Sequence, residues 1–180
     1  MERNIKEASG SYQGDRFVFD NFDISRLSDK LISQYSILPL FEGTADAFMV
    51  PVHLQVNQGS FTIHSGILTF STVTIIQQDD QLILSCDCSH TGPTLCEHQS
   101  QVLYSISRQD DLKLFFDEKL RHQRLKDIAM DFGLENERDP EQFFQIAYKD
   151  NKPVITPKFP SLMPVTPESL YSLEALLLPA

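Results

Sequence analysis

The chain has 180 residues, 41% of them hydrophobic and 10% aromatic. That is enough for one substantial core and far from the composition of disordered chains. Its formal charge is −10, and between Lys30 and Arg108 there is no Lys or Arg, while Glu42, Asp46, Asp79, Asp80, Asp87 and Glu97 all fall there. That stretch lacks the cations needed to hold nucleic-acid phosphates.

The first seven residues, Met1 to Glu7, contain no apolar core of a signal peptide. No apolar run reaches the roughly 18 residues of a membrane span. A soluble, cytoplasmic protein without a membrane partner is the expectation, in a compartment where clustered thiols stay reduced and more often bind metal than pair.

In chain order, residues 1–15 are polar and read as loose, and Arg16-Phe17-Val18-Phe19 reads as a short strand. From Asp23 to Ile32, the apolar residues Ile24, Leu27 and Leu31 recur at helical spacing behind Asp23 as a cap, with Pro39 ending the element. The period then becomes two. Phe48, Val50, Val52, Leu54 and Val56 alternate with Met49, Pro51, His53 and Gln55, which predicts a half-buried strand, with Pro51 marking an edge position or a bulge. Asn57-Gln58-Gly59 is a turn signal before a return strand at Phe61 to His64. Leu68 to Ile76 is a further strand, Gln77 to Asp80 a turn, and Gln81 to Ser85 a strand that runs into Cys86.

After His98 the pattern is helical, with Val102, Leu103 and Ile106 on one face. From Asp110 to Phe132 two apolar stripes run out of phase, predicting one kinked helix or two consecutive ones, stopped at Gly133. Lys119, Arg121, Arg124 and Lys126 form the densest basic patch, interspersed with Asp117, Glu118 and Asp127. It reads as a solvated helix face or as a nucleic-acid or partner contact. Phe143 to Tyr148, Asp150-Asn151 and Val154-Ile155 read as a small hairpin, in competition with a helix capped by Asp139 with Pro140 first. Six of the ten prolines lie between Pro153 and Pro179, and the apolar ending at Ala180 suggests a linker into a longer polypeptide. The segments expected are 1–44, strand and helix; 45–108, meander with the metal motif; and 109–180, helices, hairpin and Pro-rich linker.

The chemistry concentrates between Cys86 and His98, 13 positions that hold all three cysteines and two of the five histidines. On an extended strand, residues i and i+2 point to one side, so Cys86 and Cys88 can offer both sulfurs to one ion. So close in sequence, they are poorly placed to form a disulfide. On a helix the same separation is about 200°, so Cys96 and His98 converge only if Cys96 sits at the helix entry with His98 just inside. Gly92 and Pro93 suit a turn that joins the two halves. Four such ligands make a closed tetrahedral zinc site, structural rather than catalytic. His90 is an alternative to His98. Isolated buried cysteines and a catalytic Cys–His pair are the competing readings, but no cysteine is set apart as an activated nucleophile. No Gly-rich loop with Lys-Ser/Thr occurs, so no NTPase activity is expected of these residues.

Cys-x-Cys, seven residues, then Cys-x-His, with a meander before and a helix after, resembles the SWIM zinc finger over about residues 45–108. The flank Arg124 to Leu134, then Pro140-Glu141-Gln142-Phe143-Phe144 and Pro157-Lys158, is similar to the region after the finger in bacterial Swi/Snf-type helicase-like ATPases. The resemblance implies an α+β fold, an antiparallel β-meander packed with helices and carrying a ββα finger. It implies zinc on Cys86, Cys88, Cys96 and His98. It also implies a non-catalytic accessory role N-terminal to ATPase lobes, in contact with those lobes or with other proteins. The alternative is DNA binding through the basic helix near residues 119–126.

Overall fold

A computed structural model describes residues 8–37, 47–65 and 69–166. The chain forms two compact units, one of residues 1–118 with 147–153, the other of 119–146 with 154–180.

The first unit is built on a six-stranded antiparallel sheet. Its strands are β1 (Ser9–Gln13), β2 (Arg16–Asp20), β3 (Ala47–Gln55), β4 (Gln58–Ser65), β5 (Thr69–Gln78) and β6 (Gln81–Cys86), in the order β1-β2-β6-β5-β4-β3. The meander β3 to β6 follows the expected course, and its turns use residues that tolerate positive φ: Asn57 at 64° and Asp79 at 53°. Strands from the N-terminal segment join the same sheet, because β2 pairs with β6, Phe17 opposite Leu84 and Phe19 opposite Leu82. Strand β1 was not expected from its polar residues; it pairs along the whole of β2 and ends in the turn at Gly14.

The side chains of one sheet face alternate into the core as the pleat requires: Phe17, Phe19, Phe61, Ile63, Val73, Ile75, Leu82 and Leu84 are fully buried. Helix α2 (Glu97–Arg108) packs against β5 and β6 and contributes Val102, Leu103 and Ile106. Helix α1 (Asp29–Tyr35) packs on α2 and contributes Ile32.

Three expectations are corrected. The single helix from Asp23 to Ile32 is two pieces. Asp23 caps only a 3-10 turn, Ile24–Arg26, and α1 starts separately behind Ser28, whose hydroxyl accepts from the Leu31 N–H at 3.3 Å. Two good N-caps five residues apart divide the helical period between them. The apolar alternation in β3 does not bury one face. A register shift between Pro51 and His53 adds a residue, so Leu54 turns inward while Val50 and Val52 are exposed, Val52 to 66%. The edge position and bulge expected from Pro51 are both present. Helix α1 ends at Tyr35, ahead of Pro39, which lies outside the described residues.

Residues 110–132 form two helices, the short α3 (Asp110–Lys113) and α4 (Glu118–Met130). Within the second unit, Leu125, Ala129 and Phe144 are buried together, packed by Ile128, Phe132, Leu134, Phe143, Ile155 and Leu162. Gly133, at φ 69°, closes α4. Its N–H donates to the Met130 carbonyl at 3.2 Å and that of Leu134 to Ala129 at 2.9 Å, the paired bonds of a left-handed C-terminal cap.

Strands β7 (Phe144–Lys149) and β8 (Lys152–Pro157) form the expected hairpin around Asp150 and Asn151, both at positive φ. The competing helical signal is also used, as a 3-10 turn Pro140–Gln142 capped by Asp139. Part of the expected Pro-rich linker belongs to this unit: Leu162 packs in its core, and the Val165 N–H donates to the Asp131 carbonyl at 2.8 Å. The segment 167–180 lies outside the described residues.

Candidate metal centre

The four motif residues converge where β6 ends and α2 begins. Leu82, Leu84 and Cys86 share one side of β6, and Cys86 stands opposite Val73, on the core face of the sheet. The residue between the two cysteines fixes the strand's exit. The Asp87 N–H donates to the Thr72 carbonyl at 3.2 Å, and the Asp87 Oδ1 accepts from the Thr72 N–H at 2.8 Å. That pair holds the Cys86–Cys88 turn against β5 while both sulfurs stay on the other side.

The second half is held by the helix entry. Cys96 is the N-cap of α2, extended at φ −69° and ψ 166°, and His98 lies within the first turn, the placement the 200° separation demanded. The Cys96 sulfur accepts from the Gln99 N–H at 3.4 Å, and the Gln99 Oε1 accepts from the Cys96 N–H at 3.0 Å, a reciprocal capping box in which a thiol replaces the usual hydroxyl. Upstream, the Leu95 N–H donates to the Tyr35 carbonyl at 2.8 Å.

As a result, the ligand atoms of Cys86, Cys88, Cys96 and His98 all lie within 4.8 Å of one another, with Cys86 Sγ 3.8 Å from His98 Nδ1. A tetrahedron with metal–ligand bonds of about 2.0–2.3 Å has edges of roughly 3.3–3.8 Å. The Cys86–His98 edge already has that length, and the widest separation needs a contraction of about 1 Å. Three sulfurs and one imidazole nitrogen are a donor set that suits zinc, and a closed set of four leaves no coordination position for substrate. The residues fit a structural ion.

The electrostatics show what the cluster costs when it carries its own protons. Hydrogen bonding with Cys96, then burial, pushes the Cys86 thiol up to about 12. Contact with the Cys86 sulfur raises His98 to about 9, against the opposing effect of burial. Crowded thiols resist ionising together, and the nearest base holds its proton to balance the first thiolate. A divalent cation resolves both tendencies at once.

His90 stands outside the cluster. Its Nε2 is 2.8 Å from the Thr94 carbonyl oxygen. Its ring lies over Gly92, where a Cβ would come within 2.6 Å of the His90 Cε1. Both residues therefore serve the shape of the connecting loop. Of the basic patch on α4, Arg124 and Lys126 are exposed. Arg121 is only 4% exposed and pairs with Glu141 at 3.0 Å, so it is not at the surface with the others. The sequence carried no local sign of this, because Glu141 arrives 20 residues later. Tyr12 and Gln99, which surround Cys96, were also missed: Tyr12 Oη donates to Gln99 Oε1 at 3.1 Å across 87 positions.

Fold and site together define an α+β domain whose sheet and principal helix meet at a possible Cys3His metal cluster. Searches of protein-family models, curated proteins and solved structures find no match to the chain. Among the described residues, no helix is long and apolar enough to cross a membrane.

Proposed function

We propose that Cys86, Cys88, Cys96 and His98 hold one zinc ion that staples β6 to α2. On this reading the chain is a non-catalytic, SWIM-type accessory module of a Swi/Snf-type DNA-dependent ATPase, and it mediates contacts with the ATPase lobes of that polypeptide or with other proteins. The observation that carries the metal reading is the convergence of four ligand atoms within 4.8 Å from a strand end and a helix cap. The absence of any Lys or Arg between Lys30 and Arg108 supports protein contact over DNA contact near the centre. The rival DNA-binding reading, through Lys119, Arg121, Arg124 and Lys126, loses one of its four cations to the pair that the buried Arg121 makes with Glu141.

Elemental analysis of the purified chain tests the first part; one zinc per chain is expected, and well under one refutes it. Iodoacetamide should alkylate the cysteines only after chelation, whereas a thiol that reacts in the zinc-loaded protein argues for a nucleophile. A salt-dependent DNA titration tests the second part. Weak or no binding at low salt is expected, and submicromolar affinity with a steep salt slope refutes the protein-contact role.

A further inference from the structure

Behind the metal cluster lies a buried polar network that the four-ligand reading does not use. Gln99 is 1% exposed, and its backbone N–H and both side-chain polar atoms are hydrogen-bonded. Its backbone N–H donates to the Cys96 sulfur at 3.4 Å, and its Oε1 accepts from the Cys96 N–H at 3.0 Å. Its Nε2 donates to the Leu84 carbonyl at 3.4 Å, and the same Oε1 accepts from the Tyr12 hydroxyl at 3.1 Å.

The bonds reach three elements around the cluster. Cys96 is itself a ligand candidate, Leu84 precedes Cys86 by two residues on the same face of β6, and Tyr12 comes from β1. One side chain therefore joins the helix that carries Cys96 and His98 to the strand that carries Cys86. The hydroxyl of Tyr12 holds that side chain in the rotamer that does so. Tyr12 is itself held edge-on against Phe17, with ring centroids 5.3 Å apart.

We infer that Gln99, locked by Tyr12, is the positioning residue of the metal centre, and that the β1–β2 hairpin is part of that centre although it supplies no ligand. Partners of this outer kind set the orientation of the ligands, and their loss typically weakens metal binding about 10–100-fold. The N–H directed at the Cys96 sulfur also stabilises the thiolate that the metal requires. The inference rests on the zinc reading above.

The test is a competition titration of the full chain with a chromophoric zinc chelator, alongside the visible spectrum of the cobalt-substituted protein. Tyr12→Phe keeps the ring and removes only the hydroxyl. It should still bind one zinc, with an affinity about tenfold lower and a shifted cobalt ligand-field band. Gln99→Leu should lose more. Tyr104→Phe is the control: it removes a hydroxyl bonded to Ser33 at 2.9 Å on the same helix, but away from Cys96, and should leave both readouts at wild-type values. Wild-type affinity and spectrum in Tyr12→Phe would overturn the inference. So would equal losses in Tyr12→Phe and Tyr104→Phe, which would indicate general loosening of α2. A wild-type chain that takes up no zinc refutes the metal reading itself, before any variant is compared.

Discussion

Cys96 holds two roles that a single substitution separates. It is 3% exposed, it is the N-cap of α2, and its sulfur belongs to the candidate metal cluster. Cys96→Ser keeps a capping atom, since a serine hydroxyl accepts the Gln99 N–H at least as well as a thiol does. Without metal the variant should therefore match or slightly exceed the chelated wild type, by about 0.5 kcal/mol at most on the scale of cap substitutions. With zinc the order reverses. At free zinc 100-fold above its dissociation constant, the wild type gains about 2.7 kcal/mol. In a domain of this size each kcal/mol moves the midpoint by about 2–4 °C, so zinc should raise it by about 5–11 °C. Cys96→Ser, left with three good ligands, should gain only a small fraction of that. Thermal unfolding of both proteins, each with EDTA and with buffered zinc, provides the four midpoints. Equal zinc shifts in the two proteins would refute the assignment of Cys96 as a ligand. A chelated variant several kcal/mol below the chelated wild type would refute its role as an interchangeable cap.

Three further outcomes are expected. Zinc binding should release protons at pH 7, among them one each from Cys86, raised to about 12, and His98, raised to about 9. Both shifts favour the protonated forms, so affinity rises with pH, and less steeply above about 9, where His98 has given up its proton. Calorimetry in two buffers of different ionisation enthalpy counts the protons, and fewer than about one contradicts the coupled cluster. Leu84→Ala, at a fully buried position beside the network, should cost about 2–5 kcal/mol in urea unfolding. A cost under about 1 kcal/mol would mean that the sheet face around β6 is not closely packed. Gly133→Ala should destabilise the second unit by about 1–2 kcal/mol, because φ of 69° disfavours any Cβ and Val165 Cγ2 lies 3.2 Å from where it would stand. Hydrogen exchange at the end of α4 reports it, and unchanged protection there refutes the cap.

The candidate metal cluster was legible because its geometry is local. The strand that runs into Cys86 put the sulfurs of Cys86 and Cys88 on one side, and the helical pattern after His98 put Cys96 at the helix entry with His98 just inside. What could not be read depends on distant partners or on a change of phase. The β3 alternation announced a strand but not its inward face, because one bulge residue between Pro51 and His53 reverses the sense of the pattern. Ser28 is a strong cap only once Leu27 has left the helical region, at ψ 120°. Arg121 looks like part of a basic surface until Glu141 folds back to it, and Tyr12 looks like an ordinary residue of a polar tail until β1 pairs with β2.

The placement of the cluster also answers a difficulty in the charge pattern. Three thiolates around a divalent ion would leave a net negative charge, in a stretch of chain that has no lysine or arginine to offset it. The compensation comes from the backbone. Cys96 and His98 stand at the first turn of α2, where N–H groups without a partner inside the helix and the positive end of the helix dipole favour negative charge. One of those N–H groups, that of Gln99, is directed at the Cys96 sulfur. The Gln99 side chain in turn ties this helix entry to β6 and to Tyr12, so the compensating dipole cannot drift away from the sulfurs. A cation supplied from a side chain would offset the charge as well, but it would also compete with the metal for the thiolates. Dipoles held in place by a capping box stabilise the ligands without that competition.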